Sequence, residues 1–285
     1  MQQIALNHPE YPETLRHIAM PPSQLYVKGA ALQAIMDRPR LAVVGSRKIS
    51  LYGKAVTAQL VQELARSGIV IVSGLAFGVD AVAHRAALEA GGTTVAVLAC
   101  GVDRPYPASH QRLAGDIIAA GGAVISEYPP GTIPYKNHFI ARNRIVSALA
   151  DGVLITEAAL KSGSLHTARF ALEQGKEVLA VPGNITSETS VGANNLIRSG
   201  ATPITQVSDI LNAMGWQASV QTKLFVKGSN PEEQAIIDLL QAGTTDGESL
   251  QQGSGLAIAS FNQTMTMLEI TGKIRPLGGN QWGLR

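Results

Sequence analysis

Between positions 41 and 214 the chain repeats one pattern: a short apolar run rich in β-branched residues, a glycine-bearing loop and a segment of helical period. Runs that are apolar on consecutive residues are typical of parallel strands that helices cover on both faces. The pattern therefore predicts an α/β fold with a mostly parallel sheet. The predicted strands are 41–44, 69–72, 94–99, 123–126, 152–156 and 177–181.

The pattern changes at both ends of the chain. Residues 1–40 carry several prolines and are predicted to form an extended lead-in with one short helix, packed on the main domain of residues 41–215. Residues 216–230 have no sustained period and are predicted to be a linker. Residues 231–285 contain three helical segments and two short strands joined at Gly278 and Gly279, which predicts a small winged-helix domain.

Composition narrows the class of protein. No apolar run approaches the ~20 residues that cross a bilayer, so no membrane span is predicted. The first residues form neither a basic leader nor an apolar core, and one cysteine excludes an internal disulfide framework, so we predict a cytoplasmic location. No Cys/His cluster is present, and neither a metal nor a cofactor is predicted. A net charge of +2 is too small to indicate nucleic acid unless the charge is concentrated locally.

The loops after four strands carry the candidate ligand-binding residues. In an open parallel sheet, ligands bind beyond the carboxyl ends of the strands, so these loops are expected to line one groove. Glycine allows close approach to the backbone, and arginine can bind a phosphate through two parallel hydrogen bonds. The candidates are Gly45, Ser46, Arg47 and Lys48, then Ser73, Gly74 and Phe77, then Ser162, Gly163, Ser164 and Thr167, and finally Gly183 and Asn184.

These loops do not match the two common nucleotide-binding motifs. The first loop is neither G-x-G-x-x-G nor G-x-x-x-x-G-K-[ST], and no acidic residue ends the second strand to hold a ribose. Simple turn geometry remains the alternative explanation for Gly45 and Gly74. Arg47 and Lys48 have the alternative of being ordinary solvated cations.

A basic and aromatic segment lies between Glu127 and Asp151, where no other acidic residue occurs. Cations bind backbone phosphates and exposed aromatic rings stack on bases, so this composition suits single-stranded nucleic acid. The alternative is that the aromatic ring packs in the core and the arginines cap a helix. Because two arginines two positions apart on one helix are not expected to face inward together, at least one is expected to be exposed. The candidates are Lys136, His138, Phe139, Arg142, Asn143 and Arg144.

Candidate catalytic residues are few. His84 and His166 have no evident nucleophile beside them, and a lone histidine is more often structural. Glu127 and Glu157, at strand ends, are the best general acid or base candidates, but carboxylates there also orient loop amides or cations. We therefore predict a protein that is not an enzyme and has no catalytic residue.

Several motifs together resemble those of the DNA-processing protein A family, also called Smf. They include VVGSRKISLYG, SGLAFGVDAVAHRAAL, ARNRIVSALADGVLITEA and SGSLHTARFALEQGKEVLAVPGN, and the match runs through almost all of residues 1–215. The resemblance implies an extended Rossmann-like fold that binds single-stranded DNA without sequence specificity and forms homodimers. It also implies a mediator that protects incoming DNA and helps load a RecA-type recombinase during natural transformation.

The resemblance also implies roles for individual residues. Gly45, Ser46 and Arg47 correspond to the phosphate-contacting loop of the family, Arg142 and Asn143 to its R-N basic motif, and residues 162–167 to its second hydroxyl-rich loop. Ala141 stands where a lysine can occur, and Lys136 is a candidate replacement. The N-terminal sterile-alpha-motif domain of some members is not expected. The residues implied in self-pairing are Asn194, Ile197 and Pro203.

The predicted winged helix lacks the cations of a typical DNA reader. From Ala257 to Thr271 the only charged residue is Glu269, and Lys273 and Arg275 follow afterwards. A recognition helix without Arg or Lys binds the phosphates of DNA poorly. We therefore predict a docking surface for a partner or for the rest of the chain, with at most weak DNA contact through the wing, the hairpin of the two short strands.

Two other functions remain open. One is a nucleotide-processing enzyme on a related fold, a nucleoside-monophosphate glycosidase with Glu157 in its chemistry, although SGSLHTA stands where such enzymes show G-G-x-G-T. The other is a small-ligand sensor that signals through the C-terminal domain. Hydrolysis of AMP would favour the first, and protection against heat by a nucleotide without turnover would favour the second.

Overall fold

A computed structural model of the chain describes residues 1–216 and 228–284, which form two compact units. The first unit contains the described residues up to 216 and the second contains those from 228 onward. Most of the predicted linker, 216–230, lies outside the described residues.

The first unit is built on a nine-stranded sheet. Its strands are β1 Gln2–Ala5, β2 Gln24–Gly29, β3 Arg40–Val44, β4 Val70–Ser73, β5 Thr94–Leu98, β6 Ala123–Ser126, β7 Gly152–Ile155, β8 Glu177–Ala180 and β9 Thr202–Pro203. Its helices are α1 Glu13–Arg16, α2 Leu32–Met36, α3 Leu51–Arg66, α4 Val79–Glu89, α5 Gln111–Ala119, α6 Lys136–Ala148, α7 Ser164–Glu173, α8 Val191–Arg198 and α9 Val207–Ala213.

The six strands predicted from apolar runs are β3 to β8, and they pair in parallel, which confirms the predicted fold class. Consecutive apolar residues alternate between two faces of the sheet. Leu41 and Val43 of β3 pack in a cluster with side chains of α3 and α4. Ala42 and Val44 pack in a second cluster with side chains of α6, α7 and the lead-in. Because both faces of these strands are buried, their sequences are continuous apolar runs.

The lead-in differs from its prediction, because it adds two strands and two short helices rather than one helix. Strand β1 pairs antiparallel with β2, and β2 pairs antiparallel with β6. Strand β2 buries Leu25 and Val27, while Gln24, Tyr26 and Lys28, which alternate with them, are partly exposed. This alternation is typical of an antiparallel strand, so a search for continuous apolar runs misses it.

The strand order places two distant loops side by side. The sheet runs β1-β2-β6-β5-β4-β3-β7-β8-β9, so β3 lies between β4 and β7. From β3 the chain first builds outward through β4, β5 and β6, and then returns to the opposite side of β3 with β7. The loops after β3 and β7 therefore flank the topological switch point, where open α/β sheets bind ligands.

The second unit has the predicted winged-helix arrangement of three helices and a hairpin. Its elements are α10 Pro231–Gln241, α11 Gly247–Ser254, α12 Ile258–Ile270, β10 Ile274–Gly278 and β11 Gln281–Leu284. Asn230 caps α10 by accepting a hydrogen bond from the Glu233 N–H at 2.8 Å, and Asp246 caps α11 through Ser249 at 2.9 Å. Ile236, Ile237, Leu240, Leu250, Phe261 and Leu268 are part of its buried core. In the described parts of the chain, no helix has the length and apolar character to cross a membrane.

Candidate nucleic-acid interface

A cavity of about 580 Å³ opens at the carboxyl edge of the sheet of the first unit. The loops after β3, β4, β7 and β8 line it together with one side of α6, although the loop after β8 contributes Glu188 and Thr189 rather than the predicted Gly183 and Asn184. It brings together most of the predicted ligand residues. These are Gly45, Ser46, Arg47, Lys48, Gly74, Lys136, Phe139, Arg142, Asn143, Ser162, Gly163, Ser164 and Thr167.

Glu157, at the end of β7, holds the loop that follows β3. Its backbone carbonyl accepts a hydrogen bond from the Ser46 N–H at 2.7 Å. Its buried carboxylate accepts bonds from the Ser50 N–H at 3.2 Å and from the Ser50 hydroxyl at 2.6 Å. A β-carbon on Gly45 would lie 2.6 Å from the Glu157 carbonyl oxygen, so only glycine fits there. Glu157 therefore orients a loop and leaves Arg47 and Lys48 exposed.

A buried carboxylate also holds the loop that follows β4. Asp80 accepts hydrogen bonds from the Gly74 N–H at 3.0 Å and from the Ala76 N–H at 3.3 Å. Leu75 between them has a φ of 59°, in the left-handed region that few non-glycine residues adopt. Burial raises the pKa of Asp80, while the charge of Arg142 acts in the opposite direction. The turn thus depends on the Asp80 side chain.

Arg142 lies against this turn from α6. One guanidinium nitrogen donates to the carbonyl oxygens of Gly74 and Val97, and a β-carbon on Gly74 would lie 2.3 Å from the same nitrogen. Burial lowers the pKa of Arg142, although the charge of Asp80 offsets part of that effect. The buried Nε of Arg142 has no hydrogen-bond partner among the described residues. Arg142 lines the cavity and also supports its wall.

The expectation that Arg142 or Arg144 would be exposed is wrong, because they are only 3% and 8% exposed. Helix α6 is covered on two sides. Arg142 points to the strand ends, whereas Arg144 points to the lead-in and donates to the Met20 carbonyl at 3.0 Å. Arg144 also donates to both carboxylate oxygens of Glu127, at 2.8 and 2.7 Å. Glu127 and Arg144 therefore bind each other and hold α6 against the lead-in, and neither residue lines the cavity.

The exposed part of the cavity combines cations with an aromatic ring. The Arg47 guanidinium carbon lies 5.0 Å from the centre of the Phe139 ring, within cation–π range. The alternative that Phe139 is a core residue is not supported, because its ring lines the cavity. Sequence analysis missed Lys161, whose signal is its position directly before the hydroxyl-rich loop. The charged lining residues are Arg47, Lys48, Lys136, Arg142 and Lys161 against Asp80 and Glu188.

The third loop offers hydroxyl groups at the start of α7. The Ser162 and Ser164 hydroxyl oxygens are 2.8 Å apart, and the Asn143 side-chain amide donates to the Gly163 carbonyl at 3.2 Å. The N–H groups of Leu165 and His166 already bond to carbonyls of this loop. The loop therefore presents hydroxyl groups to a ligand, while these two N–H groups are already occupied.

Six predicted residues do not line the cavity. The Ser73 hydroxyl is buried and donates to the Val43 carbonyl at 2.7 Å, and the His138 ring stacks on Tyr128 with centres 4.0 Å apart. The ring of Phe77 is half-exposed but contacts His110. The remaining three are Arg144, Gly183 and Asn184, of which the last accepts bonds from Thr186 at 3.0 and 2.8 Å.

The residues predicted to pair with a second copy lie near the edge of the sheet. The Asn194 side chain bonds to the N–H and the carbonyl of Gly183, both at 3.1 Å. Ile197 packs partly against the core, and Pro203 is exposed on β9, which pairs only with β8 in the described part of the chain. Their role in self-association stays a prediction.

In the winged-helix unit, one of the two cations that follow α12 is already bound. Lys273 donates to the Glu233 carboxylate and to the Ser229 hydroxyl, both at 2.6 Å, and Arg275 remains exposed. Helix α12 exposes Ile258 and Ile270. The prediction of a docking surface with at most weak DNA contact is consistent with these positions and remains a prediction.

Comparisons with known proteins match both units. A family model described as DNA recombination-mediator protein A matches residues 2–215, and one described as DprA winged helix domain matches residues 226–280. DNA processing protein DprA of Bacillus subtilis is 42% identical over 211 residues, which are 74% of this chain and 70% of that protein. A DprA protein of Mycobacterium tuberculosis is 39% identical over 243 residues, and the match spans 61% of its length.

Solved structures agree with these sequence matches. The X-ray structure of DNA processing protein A from Streptococcus pneumoniae has a TM-score of 0.69 at 40% identity, over 74% of this chain and 73% of that one. A structure of DNA processing protein A from Helicobacter pylori, described for its single-stranded DNA binding mode, has a TM-score of 0.66 at 35% identity, over 75% and 96%. By its sequence and its fold, this chain belongs to the DNA recombination-mediator protein A family.

Proposed function

We propose that this protein binds single-stranded DNA in the cavity of its first unit, without reading the base sequence and without chemical turnover. The observation that carries the proposal is the contact between Arg47 and Phe139 at a cavity edge where cations outnumber carboxylates. The Helicobacter relative, described for its single-stranded DNA binding, supports the same ligand class.

Each part of the cavity has a distinct task in this proposal. The exposed cations Arg47, Lys48, Lys136 and Lys161 contact backbone phosphates. The Phe139 ring stacks on one base, and because every base has a π face, stacking tolerates any sequence. A base within a duplex has both faces covered, so this contact favours a single strand.

The wider role is proposed from the family. We infer that the protein protects incoming DNA and helps load a RecA-type recombinase during natural transformation, acting as a homodimer in the cytoplasm. The family description as a recombination mediator and the DNA processing relatives support this inference.

No observation favours the glycosidase alternative. Glu157, its candidate catalytic residue, is buried and uses its carboxylate to hold Ser50. The small-ligand sensor likewise has no specific observation in its favour.

The test is a titration of a fluorescent oligothymidylate of about twelve nucleotides, a length comparable with known single-strand sites. Wild type should bind with an affinity that falls as salt rises. Arg47→Ala should weaken binding and reduce the slope of log affinity against log salt by about 0.7, the value for one phosphate contact on a single strand. Arg85→Ala is the matched control, because Arg85 is exposed on α4 and does not line the cavity. A folded wild type that does not bind would disprove the proposal.

A further inference from the structure

A second aromatic ring, which is exposed, continues the surface of the partly exposed Phe139 away from Arg47. The Tyr106 ring lies edge-on to Phe139, with ring centres 5.6 Å apart and an interplanar angle of 62°. Tyr106 is 47% exposed, so much of its ring surface is available to a ligand. Arg47, Phe139 and Tyr106 thus form a continuous row of contacts.

The loop that carries Tyr106 is held in place on several sides. The Gly101 N–H donates to the Thr132 carbonyl at 3.0 Å, and Asp103 accepts from the Gly131 N–H at 2.9 Å. Within the loop, the Cys100 thiol donates to the Arg104 carbonyl at 3.2 Å. A ring on a preorganised loop loses little conformational freedom when a ligand binds, so its contact contributes more affinity.

A cation accompanies this ring, as one accompanies Phe139. The side chain of Arg104, two positions before Tyr106, is 73% exposed and lies 3.9 Å from Asp103. Exposed pairs of this kind contribute little to stability, so Arg104 is free to contact a phosphate instead. The combination of exposed ring and cation repeats the chemistry of the cavity at its rim.

We propose that Tyr106 is a second base-stacking position, which binds the nucleotide next to the one on Phe139. This proposal rests on the proposed function of the cavity. The angle between the two rings prevents the two bound bases from lying parallel, so the strand is bent and unstacked where it leaves the cavity. The Arg104 guanidinium contacts the phosphate backbone beside the second base.

The experiment compares Tyr106→Leu, which removes the ring, with Tyr106→Phe, which keeps it. Each is titrated with the oligothymidylate and with an abasic strand of equal length that keeps the phosphates but has no bases. Because stacking contributes about 1–3 kcal/mol per base, Tyr106→Leu should weaken oligothymidylate binding by about fivefold or more. It should leave abasic-strand binding and the salt slope unchanged, and Tyr106→Phe should bind like wild type.

A direct reporter is Tyr106→Trp, whose fluorescence the oligothymidylate should quench and the abasic strand should not. Unchanged oligothymidylate binding by folded Tyr106→Leu overturns the second stacking position. Equal losses on both strands also overturn it, because the ring would then act only through the loop. Failure of wild type to bind the oligothymidylate defeats the proposed function instead, so the two failures are distinguishable.

Discussion

Replacing Arg142 with alanine should affect stability as well as DNA binding, and this separates it from Arg47. Arg142 is 3% exposed and donates to the carbonyls of Gly74 and Val97. Arg47 is exposed and makes a cation–π contact with Phe139. Both residues line the cavity, so loss of DNA binding alone does not tell a phosphate contact from a damaged wall.

The magnitude follows from the groups left without partners. A buried polar group that loses its hydrogen bond costs about 1–3 kcal/mol, so loss of the Arg142 donor at two carbonyls lowers the free energy of unfolding by about 2–6 kcal/mol. For a unit of this size, 1 kcal/mol shifts the melting temperature by about 2–4 °C. Arg142→Ala should therefore melt about 4–24 °C below wild type. Arg47→Ala should melt within about 2 °C of wild type.

The assay is thermal unfolding of wild type, Arg142→Ala and Arg47→Ala under one buffer condition, followed by the oligothymidylate titration. Arg142→Ala should lose both stability and DNA affinity, because the Gly74 turn also loses the charge that faces Asp80. If Arg142→Ala melted together with Arg47→Ala, the structural role of the buried guanidinium would be refuted, and Arg142 would act as a simple phosphate contact.

Two further predictions concern the core and the wing. His84 is fully buried, and its Nδ1 lies 2.7 Å from the Thr94 hydroxyl. Burial lowers the pKa of His84 to about 3 from an ordinary value of 6.5. The contribution of the neutral imidazole to stability is therefore complete above pH 6.5 and is lost as the pH falls toward 3. Because of this residue, wild type should lose about 2 kcal/mol of its free energy of unfolding between pH 7 and about pH 5. His84→Gln should show a flatter profile of melting temperature against pH. A profile identical to that of wild type would contradict this prediction. Arg275→Ala, at the exposed wing cation, should leave the affinity for oligothymidylate and its salt slope unchanged, and a slope reduced by about 0.7 would show that the wing contacts the strand.

The parts of the fold that the sequence predicts are those buried on both faces. All five residues of β3 are buried, and such runs stand out without any knowledge of their partners. Strand β2 has one face partly exposed, and β9 has only two residues, so neither forms a continuous apolar run. Antiparallel pairing of β2 with β6 is decided by the whole sheet, which explains why the lead-in was predicted to be merely extended.

For the site, the sequence predicts the loops better than the exposure of single side chains. Ligands bind at the carboxyl ends of parallel strands, and this rule correctly predicts that the loops at Gly45, Gly74 and Ser162 line one cavity. Arg142 and Arg144 are both buried because α6 has two covered sides, whereas the expectation of an exposed arginine requires a single buried face. The lead-in provides a second cover through Met20, and an apolar period cannot indicate a face that is buried by hydrogen bonds and an ion pair.

The positive character of the cavity also depends on strand order rather than on composition. The chain has 23 basic and 21 acidic residues, a balance that indicates no ligand. Strand β7 returns to pair with β3, with Leu41 opposite Gly152, and this pairing brings Lys161 to the same cavity as Arg47. The carboxylates at this edge are largely occupied, since Asp80 and Glu157 accept hydrogen bonds from loop amides. The local excess of free cations arises from a pairing between segments distant in sequence, which neither net charge nor a short motif can indicate.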